Sequence, residues 1–145
     1  MTVRTRLDAV RRRAETAAAR APTPSTLARW ALGAMLLAAG VHKLLDPVAW
    51  AAYVTDWLAP WLVVSPVTFM LANGVLEVAF AALLFADRYT AFAALVAAVS
   101  LAATIAYLTI VSASTGLYGD VIARDVGLAG LALAVLVDAL RRPPR

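Results

Sequence analysis

Glu77 is the residue that most needs a chemical reason. It lies eleven residues after Pro66 in an otherwise uncharged apolar run, about 16 Å along a helix that rises about 1.5 Å per residue. An ionisable group that deep in a bilayer costs about 2.5–3.5 kcal/mol to insert, and it requires a partner or a use. Asn73 falls one turn earlier on the same helical face, and Gly74 beside it leaves room for a neighbouring helix. Polar side chains also gather at one end of each other apolar run: His42 and Lys43, Tyr107 with Thr104 a turn deeper, and Arg124 with Asp125. These groups donate hydrogen bonds and carry protons. The pattern predicts a buried polar cluster in the outer half of a helical bundle, with Glu77 at its floor as proton carrier and Lys43 or Arg124 as counter-charge. No residue is assigned a bond-breaking role.

Each member also has a plain structural reading. Lys43 and Arg124 sit near helix ends, where long basic side chains reach up to headgroups. His42 also suits a hydrogen-bonded packing role, and Tyr107 a place in the aromatic belt. Asp125 also complements the positive N-terminal end of the last helix. A structural Glu77 would set helix register through an ion pair.

Composition limits what surrounds these residues. The 145-residue chain is 63% hydrophobic and 15% charged, with a mean hydropathy of +0.80. A soluble domain is nearer half apolar and a quarter charged, so the missing solvent is lipid. The net charge of +4 and pI near 10.1 come from flanks. Arg4, Arg6, Arg11, Arg12, Arg13, Arg20 and Arg29 precede or enter the first apolar run, while Arg141, Arg142 and Arg145 follow the last. That is the positive-inside bias. No nucleic-acid partner is expected, because no aromatic-interleaved basic surface or base-reading motif is present. The chain has no cysteine, which excludes disulfides, thiol nucleophiles and thiolate-held iron–sulfur clusters. With one histidine it cannot build a multi-histidine metal site or paired-histidine haem ligation alone.

The expected fold is all-α: an integral membrane four-helix up-down bundle with an extra outer interfacial helix and a basic N-terminal surface helix. Residues 1–24 form the basic helix. Val3, Leu7, Val10, Ala14, Ala17 and Ala21 make a weak apolar stripe, and Arg6, Arg13 and Arg20 repeat beside it, as on a helix lying on anionic headgroups. This acid-poor make-up also suits a transit peptide. Pro22 and Pro24 should end it, with Ser25 or Thr26 capping the next helix. The membrane domain covers residues 25–140, with spans near 27–45, 66–86, 89–112 and 121–140. Residues 141–145 form a basic tail. Residues 48–64 place Trp50, Tyr53, Trp57 and Trp61 on one helical face, interrupted by Asp56 and Pro60. We read this stretch as an outer surface or shallow re-entrant helix. Four crossings then put both arginine-rich termini on the cytoplasmic side of the cell membrane.

Several segments resemble one family. Ala39-Gly40-Val41-His42-Lys43-Leu44-Leu45-Asp46-Pro47, Ala72-Asn73-Gly74-Val75-Leu76-Glu77 with the turn Asp87-Arg88, and Arg124-Asp125-Val126-Gly127-Leu128 are similar to the DoxX family of small four-helix membrane proteins. The resemblance covers roughly residues 27–140. It implies a link to membrane redox metabolism, in the company of quinone-dependent oxidation, terminal oxidases or oxidative-stress assemblies. Lys43, Glu77 and Asp125 fall on the family-like motifs, but no catalytic set transfers. The leading expectation is a subunit that binds a quinone or similar lipid-soluble molecule through His42, Lys43, Asn73, Glu77, Tyr107, Arg124 and Asp125. A partner redox subunit would supply the electrons. The alternatives are a non-enzymatic assembly subunit or homo-oligomer, and a proton or solute path through Glu77.

Overall fold

The computed structural model describes residues 3–143, apart from the side chains of Val3, Thr5 and Arg6. Arg145 of the basic tail, and the side chains of Val3 and Arg6 from the N-terminal pattern, lie outside the described residues. Among the described residues there are six α-helices and no strand. They are α1 (Val3–Arg20), α2 (Pro24–Leu45), α3 (Pro47–Ala51), α4 (Pro66–Phe85), α5 (Thr90–Thr115) and α6 (Gly119–Arg141), with one 3-10 turn at Ala59–Trp61.

Local signals account for most boundaries. Proline takes the first helical position of α2, α3 and α4, where its missing N–H costs nothing. Thr23, Asp46 and Ser65 supply side-chain caps to Thr26, Ala49 and Thr68. The cap of α2 is therefore Thr23, not Ser25 or Thr26, and Pro24 opens this helix instead of closing α1. Gly116, with φ 71°, ends α5 in the left-handed region.

Helices α4 and α5 are long and apolar enough to cross a membrane. Helices α2 and α6 have comparable lengths of 22 and 23 residues but carry ionisable groups within them. Helix α2 packs chiefly on α4 and α5 on α6, while α2 also touches α6 and α4 touches α5. The α2–α4 pair is antiparallel, because Gly33 meets Leu84 and Phe85 while Gly40 meets Gly74.

The shared core is built from Leu32, Leu36, Ala81, Leu84, Ala93, Ala94, Ala97, Ala98, Ala132 and Val135. Alanine dominates it, and small side chains let helix backbones approach closely where apolar burial offers little drive. The core lies toward the end that carries Arg29, Asp87 and Arg142, here the arginine end. At the opposite, aromatic end Met70, Leu108, Val111 and Val121 are buried outside this cluster, beside polar and ring contacts.

Residues 48–64 differ from the single helix expected. Asp46 and Pro47 start a new helix that stops at Ala51, turns follow, and Pro60 sits inside a three-residue 3-10 turn. A proline and a polar Asp56 within so short a segment prevent one continuous hydrogen-bond ladder. The helical spacing of the aromatics is real in the sequence, yet Trp50, Tyr53 and Trp57 pack on His42, Tyr118 and Tyr107 while Trp61 stands exposed.

Candidate functional site

The site begins where α2 crosses α4. A Cβ added to Gly40 would stand 2.8 Å from the Gly74 carbonyl oxygen, and one added to Gly74 would stand 2.9 Å from that of Gly40. Only glycine permits this approach. The same hypothetical atoms would lie 3.0 Å from Glu77 Cβ and 3.1 Å from Lys43 Cβ, so the crossing sets the two ionisable residues side by side. Lys43 Nζ donates to Glu77 Oε1 at 2.5 Å. Lys43 is buried, and Glu77 is mostly so. Of the two expected counter-charges, Lys43 is the one that reaches Glu77. The second carboxylate oxygen, Glu77 Oε2, is buried without a hydrogen-bond partner among the described residues.

Trp50 of α3 covers this pair. Lys43 Nζ lies 4.4 Å from the centre of the Trp50 ring, a cation–π contact. The indole Nε1 donates to His42 Nδ1 at 2.6 Å. An indole N–H can only donate, so Nδ1 holds a lone pair and the neutral imidazole keeps its proton on Nε2. The His42 side chain makes no other hydrogen bond among the described residues. It helps line an apolar groove of about 460 Å³ along α2, with Ala34, Leu37, Ala38, Val41, Leu45 and Phe85. The result is a string from a lipid-type groove through His42, Trp50 and Lys43 to a buried carboxylate.

Tyr107 does not join that string. Its hydroxyl donates to the Tyr53 carbonyl at 2.8 Å and accepts from the Thr55 amide at 3.0 Å. Its one proton is thereby used, so Thr55 Oγ1, also at 3.0 Å, donates to it. The Tyr107 and Trp57 rings lie 5.5 Å apart, and Tyr53 contacts both Trp50 and Tyr118. Tyr107 therefore anchors residues 53–57, which cap the aromatic end. Arg124 and Asp125 form a third group. Arg124 Nε donates to Asp125 Oδ1 at 3.0 Å; Asp125 is buried and Arg124 largely exposed. Asn73 is half-buried and makes no side-chain hydrogen bond among the described residues. Six of the seven expected residues thus fall into three separate hydrogen-bonded groups, and Asn73 joins none of them among the described residues.

The arginine end holds a network that sequence reasoning missed. Arg29, buried in α2, donates to the carbonyls of Leu84 and Phe85 at the end of α4, the latter at 3.2 Å. Helix-end carbonyls lack intrahelical donors; the Leu84 carbonyl also accepts from the Asp87 amide at 3.2 Å, while Arg29 is the one described donor to Phe85. Arg29 Nε also lies 3.4 Å from Asp87 Oδ1. Asp87 accepts from Thr90 at 2.9 Å and from Arg142 at 2.9 and 3.1 Å, and Arg142 also binds Asp138. The hydrogen bond to Asp138, followed by those to Asp87, holds the Arg142 guanidinium above its ordinary pKa against the opposing effect of burial. Four helices meet at this clamp. Arg29 carries the usual mark of a flanking basic residue, and the one available signal was its position five residues inside α2 instead of before it.

Among the described residues, no group of three His, Cys, Asp or Glu side chains is placed to hold a metal ion. No curated protein and no solved structure matches the chain. A family model does match residues 25–112, a stretch that includes His42, Lys43, Asn73, Glu77 and Tyr107 and stops short of Arg124 and Asp125. That model is DoxX, it covers more than half of the sequence, and the chain belongs to the DoxX family.

Proposed function

We propose that α2, α4, α5 and α6 form an up-down bundle crossing the cell membrane four times, with both termini cytoplasmic. We further propose that its aromatic end binds a quinone or a similar lipid-soluble carbonyl compound, as a membrane subunit of quinone-linked redox metabolism. One observation carries this reading: the string from the apolar groove through His42 and Trp50 to the buried Lys43–Glu77 pair.

The residues fit such a ligand. A quinone offers carbonyl oxygens as acceptors and takes up protons with electrons on reduction. His42 lines the groove, and its Nε2–H, without a partner among the described residues, is suited to a carbonyl oxygen. Lys43 sits behind the Trp50 ring as a second donor, and the lone pairs of Glu77 Oε2, unpartnered among the described residues, give the pair a place to hold a proton. The groove walls are aliphatic apart from His42 and Phe85, which suits an isoprenoid or alkyl tail. The chain offers no electron carrier of its own, so electrons are assigned to a partner subunit.

The test is titration of the purified protein in lipid nanodiscs with a short-chain ubiquinone or menaquinone analogue. Tryptophan quenching and the melting temperature are the readouts. Saturable quenching with a raised melting temperature is expected, weakened by His42→Leu. No saturable quenching and no thermal shift would sink the reading. So would Glu77→Gln leaving quinone reduction by its membranes unchanged.

A second reading rests on a different observation. Among the described residues, a Cβ added to Gly127 or Gly130 would meet nothing within 4 Å, which leaves bare backbone on one face of α6. Such a face suits a partner helix in an assembly subunit or homo-oligomer. A chain that stays monomeric in gentle detergent and in nanodiscs counts against this.

A further inference from the structure

Helix α1 stands apart from everything described so far. Apart from Ala9, which is half-buried, each of its described side chains is exposed, including the apolar Leu7 and Val10 at 63% and 64%. Among the described residues no other helix packs extensively on α1, and a helix with apolar residues so exposed needs a surface to lie on.

Its residues are sorted around the axis. Successive positions turn by about 100°, so Leu7, Val10, Ala14 and Ala17 share one face. Arg13 and Arg20 run along one edge of that face, and Arg4 and Arg11 along the other. Both acids, Asp8 and Glu15, fall toward the back with Arg12, and Glu15 is held by Arg11 at 2.8 Å. Residues 1–24 hold six arginines against two acids. Two basic rows flanking a shallow apolar strip match a surface with phosphates above and acyl chains below. Guanidinium groups reach headgroups at each side while Leu7 and Val10 enter the boundary.

Position supports the same surface. Helix α1 ends three residues before α2 begins, and Arg29 and Arg142 mark the charged edge of the body at that end. We infer that α1 is a membrane-surface helix that docks on anionic phospholipid headgroups through Arg4, Arg11, Arg13 and Arg20. The inference rests on the long helices crossing a bilayer and is independent of any ligand at the aromatic end.

The absence of cysteine makes the test direct. Single variants Leu7→Cys and Val99→Cys are spin-labelled in the full chain and reconstituted into phosphatidylcholine vesicles, with or without phosphatidylglycerol. Accessibility to oxygen, which concentrates in lipid, is compared with that to a water-soluble nickel complex. The Val99 label, on an exposed apolar position of α5, should be lipid-immersed in both vesicles. The Leu7 label should be immersed only where anionic lipid is present. Arg13→Gln with Arg20→Gln should lower its surface partitioning roughly thirtyfold, since each arginine near such a surface contributes about fivefold. A Leu7 label that stays in water with anionic lipid overturns the inference, as does equal immersion in both vesicles. A Val99 label in water overturns the membrane-crossing reading as well.

Discussion

Gly40 and Gly74 stand back to back, each carbonyl oxygen filling the space where the other residue's side chain would begin. The obstruction is backbone, which cannot rotate away. Gly40→Ala or Gly74→Ala should force α2 from α4 and cost about 1–3 kcal/mol, the range for overpacked positions. Gly127→Ala and Gly130→Ala meet open space and should be neutral or stabilising, by up to about 1 kcal/mol from helix propensity. Thermal unfolding of the four variants in one detergent checks the contrast. An equal loss at Gly127 would contradict it.

The pair beside that crossing should behave as a unit. Lys43→Met strands a buried carboxylate and Glu77→Leu strands a buried ammonium, each at about 3–5 kcal/mol. The double variant removes both charges and should recover a large part of the loss. A double-mutant cycle by denaturant unfolding measures this. Additive losses would show that Lys43 and Glu77 do not stabilise one another.

How much of this was legible depended on whether a signal was local. Glu77 was visible because its depth follows from counting residues in one apolar run, and Gly74 beside it signalled a close neighbour. Lys43 and Arg124 could not be told apart as partners, because that choice depends on where a second helix crosses. Arg29 looked like a flanking charge, since its acceptors, the Leu84 and Phe85 carbonyls, lie 55 and 56 residues away. The turn at Asp87 and Arg88 was plain, yet its role as a hub required the ends of α2 and α6. Trp50, Tyr53, Trp57 and Trp61 misled because helical spacing persisted in a segment whose Pro60 and Asp56 would not sustain a helix.

The clamp at the arginine end should show a gradient with burial. Arg29→Leu takes the Phe85 carbonyl's one described donor and leaves the Leu84 carbonyl to the Asp87 amide, and it should cost about 1–3 kcal/mol. Arg142→Gln acts on a partly exposed pair and should cost about 1 kcal/mol or less. Glu15→Ala, in the exposed pair with Arg11, should change nothing measurable. Denaturation midpoints of the three variants give the order, and a larger effect at Arg142 than at Arg29 would reverse the assignment of the clamp's centre.

Tyr107 makes the sharpest local prediction, because its hydroxyl is the sole described link between α5 and the backbone of residues 53–55. Tyr107→Phe keeps the ring against Trp57 and removes only the oxygen, so packing and polar anchoring are separated. The Thr55 amide then loses its acceptor, and its hydrogen exchange should quicken about fivefold to tenfold, the equivalent of roughly 1–1.5 kcal/mol. Amides around Gly40 and Glu77 should be unaffected, since no described hydrogen bond joins Tyr107 to them. Trp57→Leu should do the reverse: it loosens the ring contact and leaves the Thr55 amide bonded. If Thr55 stays equally protected in Tyr107→Phe, ring packing alone holds the cap over the aromatic end. If protection falls as expected, one hydroxyl of α5 fixes the backbone of residues 53–55 across more than fifty positions of sequence.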